Sequence, residues 1–182
     1  RITIVNGMNN VLRTGLRNGE LDLVLGVYDE EDPDIAGFVM ARDHVRVVAS
    51  VGHRLVGQPV TLADLVGERW VLPSRAVKMR QWFDAAFTLA GCVPPEPHIE
   101  TTSIAILEAL IANSDYLSFV SSWKVGTRVN RHRLAPLDTP ELNMPREFGL
   151  LWSSAFPPSR PAKVLADYIR NMVQQTGELK QV

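Results

Sequence analysis

The run Leu16-Arg17-Asn18-Gly19-Glu20-Leu21-Asp22-Leu23-Val24-Leu25-Gly26 limits the fold of this chain more than any other. It reads as the end of a helix, a glycine stop and a buried strand. Gly19 suits the C′ position, where a left-handed backbone carries little penalty without a Cβ. Leu21, Leu23, Val24 and Leu25 follow almost without a polar break. Such a strand, apolar on both faces, is expected inside a parallel sheet covered by helices on both sides.

A length of 182 residues suits one domain or two small lobes with a sizeable core. A formal charge of −1 leaves no electrostatic footprint for nucleic acid, so this chain is not expected to grip DNA by itself. Cys92 is the only cysteine, which excludes an intrachain disulfide and fits a reducing cytoplasm. No apolar run reaches transmembrane length and no signal-peptide pattern opens the chain. It starts at Arg1 rather than Met and is read as a fragment or processed product.

Arg1–Val5 reads as a strand, followed by a turn in which Asn9 or Asn10 caps a helix carrying Val11, Leu12 and Leu16. Asp29–Asp34 reads as a solvated acidic loop. Residues 38–41 and 45–49 read as two strands parted by Arg42-Asp43-His44, and His53 as a turn histidine. Thr61 and Asp64 have capping-box spacing, with Gly67 as the stop. Trp70-Val71-Leu72 is a strand. Met79, Trp82, Phe83, Ala86, Phe87 and Ala90 then repeat at helical spacing up to Gly91. That stripe reads as core, with Met79 also in reach of a pocket. Residues 98–101 form a strand, and Thr102 or Ser103 caps the next helix. Residues 116–120 form a strand, and a further helix is expected to end in Arg128, Arg131, His132 and Arg133. Residues 134–137 and 148–152 are strands, 138–145 a polar crossover, and the last helix runs from Pro157-Pro158-Ser159 to a stop at Gly177.

No dinucleotide, P-loop, nucleophile-elbow or zinc-protease motif occurs. The four histidines and one cysteine lack metal-ligand spacing, so no metal, cofactor or catalytic residue is assigned.

The order of features resembles the effector-binding domain of LysR-type transcriptional regulators along nearly the whole chain. Residues 16–26 match L-x-x-G-x-L-D-x-x-h-G, where h is hydrophobic. Asn6-Gly7 stands at the family's E-G turn, His53-Arg54-Leu55 at its H-P-L, and Thr61-Leu62-Ala63-Asp64-Leu65 at its h-L-x-D-L helix. Trp70-Val71-Leu72 follows in place. Two departures are Arg54 for proline and Ser114–Ser121, which lacks two glycines and a proline of the usual pattern.

The resemblance implies an α/β, two-lobed fold of the type II periplasmic-binding-protein kind. Its sheets would be mostly parallel with helices on both faces, and its N-terminal βα unit absent. Lobe I would hold residues 1–58 and 146–182, and lobe II residues 59–145. It implies a non-enzymatic, cytoplasmic sensor without cofactor that binds a small anionic effector between the lobes. Asn9, Ser74, Met79, Thr101, Thr102, Ser103 and Phe148 match the family's pocket. The full-length protein would be a homodimer or tetramer, touching DNA only through an N-terminal domain outside this chain and no membrane. A stand-alone solute-binding protein of a transporter is the alternative. A small enzyme on this fold is a third reading, for which no convergent acid–base groups are found.

Overall fold

A computed structural model describes residues 1–125, 127 and 130–176. The elements run α1 (Asn9–Arg17), β1 (Val24–Val27), β2 (Ile35–Ser50), α2 (Leu62–Val66), β3 (Val71–Leu72), α3 (Lys78–Leu89), β4 (Ile99–Glu100), α4 (Ile104–Ala112), β5 (Ser118–Ser121), α5 (Ser122–Val125), β6 (Leu134–Pro136), a 3₁₀ turn (Pro140–Leu142), β7 (Met144–Ser153) and α6 (Arg160–Thr176). They divide into two compact units. Unit one holds residues 1–43 with the described residues from 146 on, and unit two holds 44–145. The sequence reading sets the first boundary at 58.

In unit one, β1 runs antiparallel to β7, with Val24 opposite Leu151 and Val27 opposite Phe148. Leu16, Val24, Ile35 and Leu151 form the core, with Leu12, Leu21 and Tyr28 packed on it. Two glycines let β2 and β7 approach closely. A Cβ on Gly37 would lie 2.6 Å from the Leu150 carbonyl oxygen, and one on Gly149 2.6 Å from that of Phe38.

Gly19 follows the C-cap Asn18 at φ 70°, as the sequence requires. The strand after it differs from expectation. β1 begins at Val24, lies at the end of its sheet and leaves Leu25 59% exposed. Leu21 instead turns back onto α1, its N–H donating to the Gly15 carbonyl at 3.2 Å. The unbroken apolar run therefore serves two packing roles, a helix return and an edge strand, rather than one interior strand.

Residues 1–5 form no strand, and Ile4 is 90% exposed. A strand requires partners for its backbone groups, and none of the described pairings reaches this segment. The N-cap of α1 is Met8, with no side-chain cap bond, and Asn9 is the first helical residue. This corrects the expected asparagine cap.

The Asp29–Asp34 loop is not simply solvated. Asp32 is 9% exposed and accepts hydrogen bonds from Arg13 and Arg17 of α1. Burial, the largest single influence, pushes its carboxyl up. The Arg17 hydrogen bond, the Asp34 N–H and the charges of Arg17 and Arg13 together outweigh it and hold the group below its ordinary value. β2 is likewise one strand where two were expected. Its polar middle is tolerated because Arg42 pairs with Glu147, Asp43 with Arg146, and His44 with Asn143 at 2.7 Å.

In unit two, the second half of β2 pairs antiparallel with β5 and β6. Parallel pairing joins β3 to β4, and single parallel bridges join Trp70 to Leu117 and Pro59 to Asp138. Directions are thus mixed. The short strands β3 and β4, which lead toward α3 and α4, run parallel, and the long strand β2 adds antiparallel neighbours in β5 and β6.

The core of unit two is aromatic. Trp70 meets Phe83 edge-on at 4.9 Å between centroids, and Trp82 stacks on Phe119 at 5.6 Å. Trp70, Phe83, Phe87 and Phe119 are essentially unexposed, each worth about 2–3 kcal/mol relative to an exposed ring. Trp70 Nε1 donates to the Leu65 carbonyl at 3.1 Å, so its polar edge is also satisfied. Both halves of the Thr61–Asp64 capping box form, and the two Thr61 hydrogen bonds hold the Asp64 carboxyl below its usual range. Gly91 follows the α3 cap at φ 73°. Arg131, His132 and Arg133 lie in an exposed turn rather than at a helix end, while Arg128 and the stop at Gly177 lie outside the described residues.

Candidate functional site

The parallel pair β3–β4 places two loops side by side. Val71 lies opposite Ile99 and Leu72 opposite Glu100, and the Thr101 N–H donates to the Leu72 carbonyl at 3.1 Å. Beyond that point one chain continues through Ser74 into α3, and the other through Thr101, Thr102 and Ser103 into α4. The hydroxyls of Ser74, Thr101 and Ser103 are therefore carried at the same carboxyl end of two parallel strands, where α/β sheets commonly take ligands.

Their hydrogen bonding fixes what they can offer. Ser74 Oγ accepts the Ala76 N–H at 3.3 Å, Thr101 Oγ1 the Ser103 N–H at 3.1 Å, and Ser103 Oγ the Ile106 N–H at 3.4 Å. Each oxygen uses a lone pair on its own backbone, so each O–H remains a donor. Ser103 is the N-cap of α4, whose first turn adds a partial positive charge. Hydroxyl donors beside a helix start suit a ligand rich in acceptor oxygens. Thr102 is exposed at the same corner. Met79 is half-buried and packs against the aromatic core.

Asn9 and Phe148 belong to unit one. A Cβ on Gly26 would lie 2.8 Å from Asn9 Oδ1, and Gly26 is in register with Gly149, next to Phe148. Asn9 therefore packs on the Gly26–Gly149 face of the β1–β7 pair, whereas Phe148, one residue from Gly149, directs its side chain to the opposite face, so the two side chains are not brought together. Asn9 Oδ1 is buried and accepts no hydrogen bond among the described residues. Phe148 is half-buried, and the Arg146 guanidinium sits 5.0 Å from its ring centroid.

The sequence reading missed Arg80. It is 1% exposed, in the first turn of α3, and its Nε donates to Asp84 Oδ1 at 2.7 Å. The signal was available: Arg80 stands three and seven residues before the buried Phe83 and Phe87, on the core stripe, with Asp84 at i+4.

A crevice of about 400 Å³ is lined by Ser50, Gly52, His53, Arg54, Glu68, Ser114 and Asp115. Its charges are turned on one another. Arg54 bonds Glu68, and His53 Nε2 lies 3.7 Å from the same carboxylate. His53, read as a turn histidine, has a side chain only 4% exposed, and its Nδ1 accepts the Leu55 N–H at 3.2 Å. That bond leaves the ring proton on Nε2, facing Glu68, a structural arrangement. Among the described residues, no three His, Cys, Asp or Glu side chains gather as metal ligands. No described helix is long and apolar enough to cross a membrane.

Residues 1–174 match the family model described as the LysR substrate binding domain. The HTH-type transcriptional regulator GalR of Pseudomonas putida is 30% identical over 91% of this chain, which spans 42% of that protein. Among solved structures, the CcmR regulatory domain of Synechocystis PCC6803 in complex with 2-PG has a TM-score of 0.78 at 19% identity, covering 92% of this chain and 80% of that one. The effector binding domain of QuiR in complex with shikimate has a TM-score of 0.73 at 18% identity, covering 93% and 79%. At such identities these two structures bear on the fold alone.

Proposed function

The chain belongs to the LysR substrate binding domain family, and we propose that it is the effector-sensing part of a transcriptional regulator that takes a small anionic metabolite. The family is one of regulators rather than enzymes. The observation that carries the anionic class is the corner at the carboxyl ends of β3 and β4. There Ser74, Thr101 and Ser103 each accept a backbone N–H and so offer an O–H to a ligand acceptor. Shikimate in QuiR and 2-PG in CcmR are ligands of those neighbours and support a small-molecule occupant here.

In this reading Thr102 adds a fourth hydroxyl at the corner and Met79 an apolar wall. Asn9 and Phe148, in unit one, are proposed as ligand-binding positions on the family pattern alone. The parent protein would be a cytoplasmic homodimer or tetramer that binds DNA through a part outside this chain. Ligand binding would act by favouring one of two conformational states.

The test uses the full-length regulator with Asn9→Leu and Thr102→Leu. Loss of effector response with DNA binding retained is the expected result. An unchanged response overturns the assignment of these residues.

A further inference from the structure

Among the described residues of unit two, Arg80 is the most deeply buried charge, with a side-chain exposure of 0%. A buried guanidinium is retained only where its donors are well matched. Here Nε meets Asp84 Oδ1 at 2.7 Å, Nη1 the Pro73 carbonyl at 3.4 Å and Nη2 the Pro95 carbonyl at 3.5 Å. Pro73 opens the loop carrying Ser74, and Pro95 lies in the proline connector that leads into β4 and so to Thr101. One fork therefore touches both chain segments that deliver the hydroxyl corner.

Outer contacts repeat the pattern. Arg75 of the loop pairs with Glu96 of the connector and lies 3.8 Å from Asp84, while Gln81 Nε2 donates to the Arg75 carbonyl at 3.0 Å. Those groups are largely exposed, and their pairs are worth little. Within the buried set the Nε–Asp84 bond is the short one, and the two carbonyl contacts are long.

We propose that Arg80 is a positioning residue for the ligand site, holding the 73–77 loop and the 93–97 connector at the spacing that aligns Ser74 with Thr101 and Ser103. It touches no ligand itself. The ligand part of this inference rests on the effector-sensing reading; the positioning part does not. A lysine cannot replace it, because one ammonium cannot reach two carbonyls and a carboxylate with the geometry of a planar fork.

The test is amide hydrogen exchange on the 182-residue chain, comparing wild type with Arg80→Met and Arg80→Lys. Arg80→Met combined with Asp84→Leu removes both charges and guards against a variant that does not fold. The expected result is exchange at least about tenfold faster at Ala76 and Val77, whose N–H groups are bonded to Ser74, as losing hydrogen bonds from a charged donor implies. Leu107 and Val120 should be unchanged, and Arg80→Lys should loosen the loop as Arg80→Met does. Uniform acceleration across unit two would make Arg80 a general stability residue and overturn the proposal. So would unchanged exchange at Ala76 and Val77 in the double variant.

A parallel titration with shikimate and with inorganic phosphate, read by amide shifts, separates the two claims. Positioning predicts that any anion shifting Ser74 and Thr101–Ser103 in wild type binds about tenfold more weakly to Arg80→Met. Failure of wild type to bind either anion counts against the effector reading, while exchange still decides the role of Arg80.

Discussion

Removing the Asp32 carboxylate should unfold unit one far more readily than its position in an acidic loop suggests. Asp32 and Arg13 are each 9% exposed at the side chain, and Arg13 Nη2 also donates to the Val27 carbonyl at 3.0 Å. The pair thus ties α1 to the end of β1 and to the loop entering β2. The Arg13 Nε–H is buried and donates to no partner among the described residues. In Asp32→Asn the guanidinium keeps its charge and burial but loses its counter-ion. Breaking a buried pair in this way costs about 3 kcal/mol, the low end of its range because Arg17 is 40% exposed. With a urea m of about 2 kcal/mol/M, the midpoint should fall by about 1.5 M.

The pH dependence supplies a second, independent reading. The folded-state Asp32 carboxyl titrates below its ordinary value of 3.8, so the unfolded chain takes up its proton first as pH falls. The stability from this group is therefore fully present above the unfolded value and is lost as pH drops through the lower folded value. The difference between wild type and Asp32→Asn should be flat at neutral pH and shrink below about pH 4. A double-mutant cycle with Arg13→Met isolates the pair. A urea midpoint within experimental error of wild type would refute the reasoning, as would a difference that stays constant through the acid range.

Three further outcomes follow from close packing. Gly149→Val places side-chain atoms against the Phe38 carbonyl, 2.6 Å from an ideal Cβ, and should destabilise the chain by about 2–3 kcal/mol in urea titration. Phe83→Ala empties a site ringed by Trp70, Phe87 and Phe119 at 4.9–5.3 Å and should cost about 3–5 kcal/mol by the same assay. Gly26→Ala drives a Cβ to 2.8 Å from Asn9 Oδ1, so the Asn9 side-chain amide resonances should move while those of unit two stay put.

The sequence was most legible where one residue type has one physical use. Gly19 and Gly91 stop helices in the left-handed region, Thr61 and Asp64 close a capping box, and the Trp82–Phe87 stripe is core. It was least legible where partners are distant in the chain. Arg42, Asp43 and His44 read as a break in a strand because their partners, Glu147, Arg146 and Asn143, lie about a hundred positions away. Asp32 read as solvent-facing because its arginines, 19 and 15 positions earlier, lie on a different element, α1. Ile2 and Ile4 suggested a strand from alternation alone, but alternation does not supply a pairing partner. At the corner, the sequence marked Ser74 and Thr101–Ser103 only by family pattern. The direction of their hydroxyls became clear once Ala76, Ser103 and Ile106 were seen to occupy the acceptor side.

The most direct test of the account is an amide-shift titration of the 182-residue chain with a panel of small carboxylates and phosphate esters, shikimate and inorganic phosphate among them. Saturable shifts are expected at Ser74 and Thr101–Ser103 with at least one anion, lost in a Thr101→Val, Ser103→Ala variant that stays folded with its urea midpoint lowered by about 0.5 M through loss of the α4 cap. Shifts confined to the crevice at Ser50, His53 and Ser114, or none from any anion at the β3–β4 corner, would contradict it.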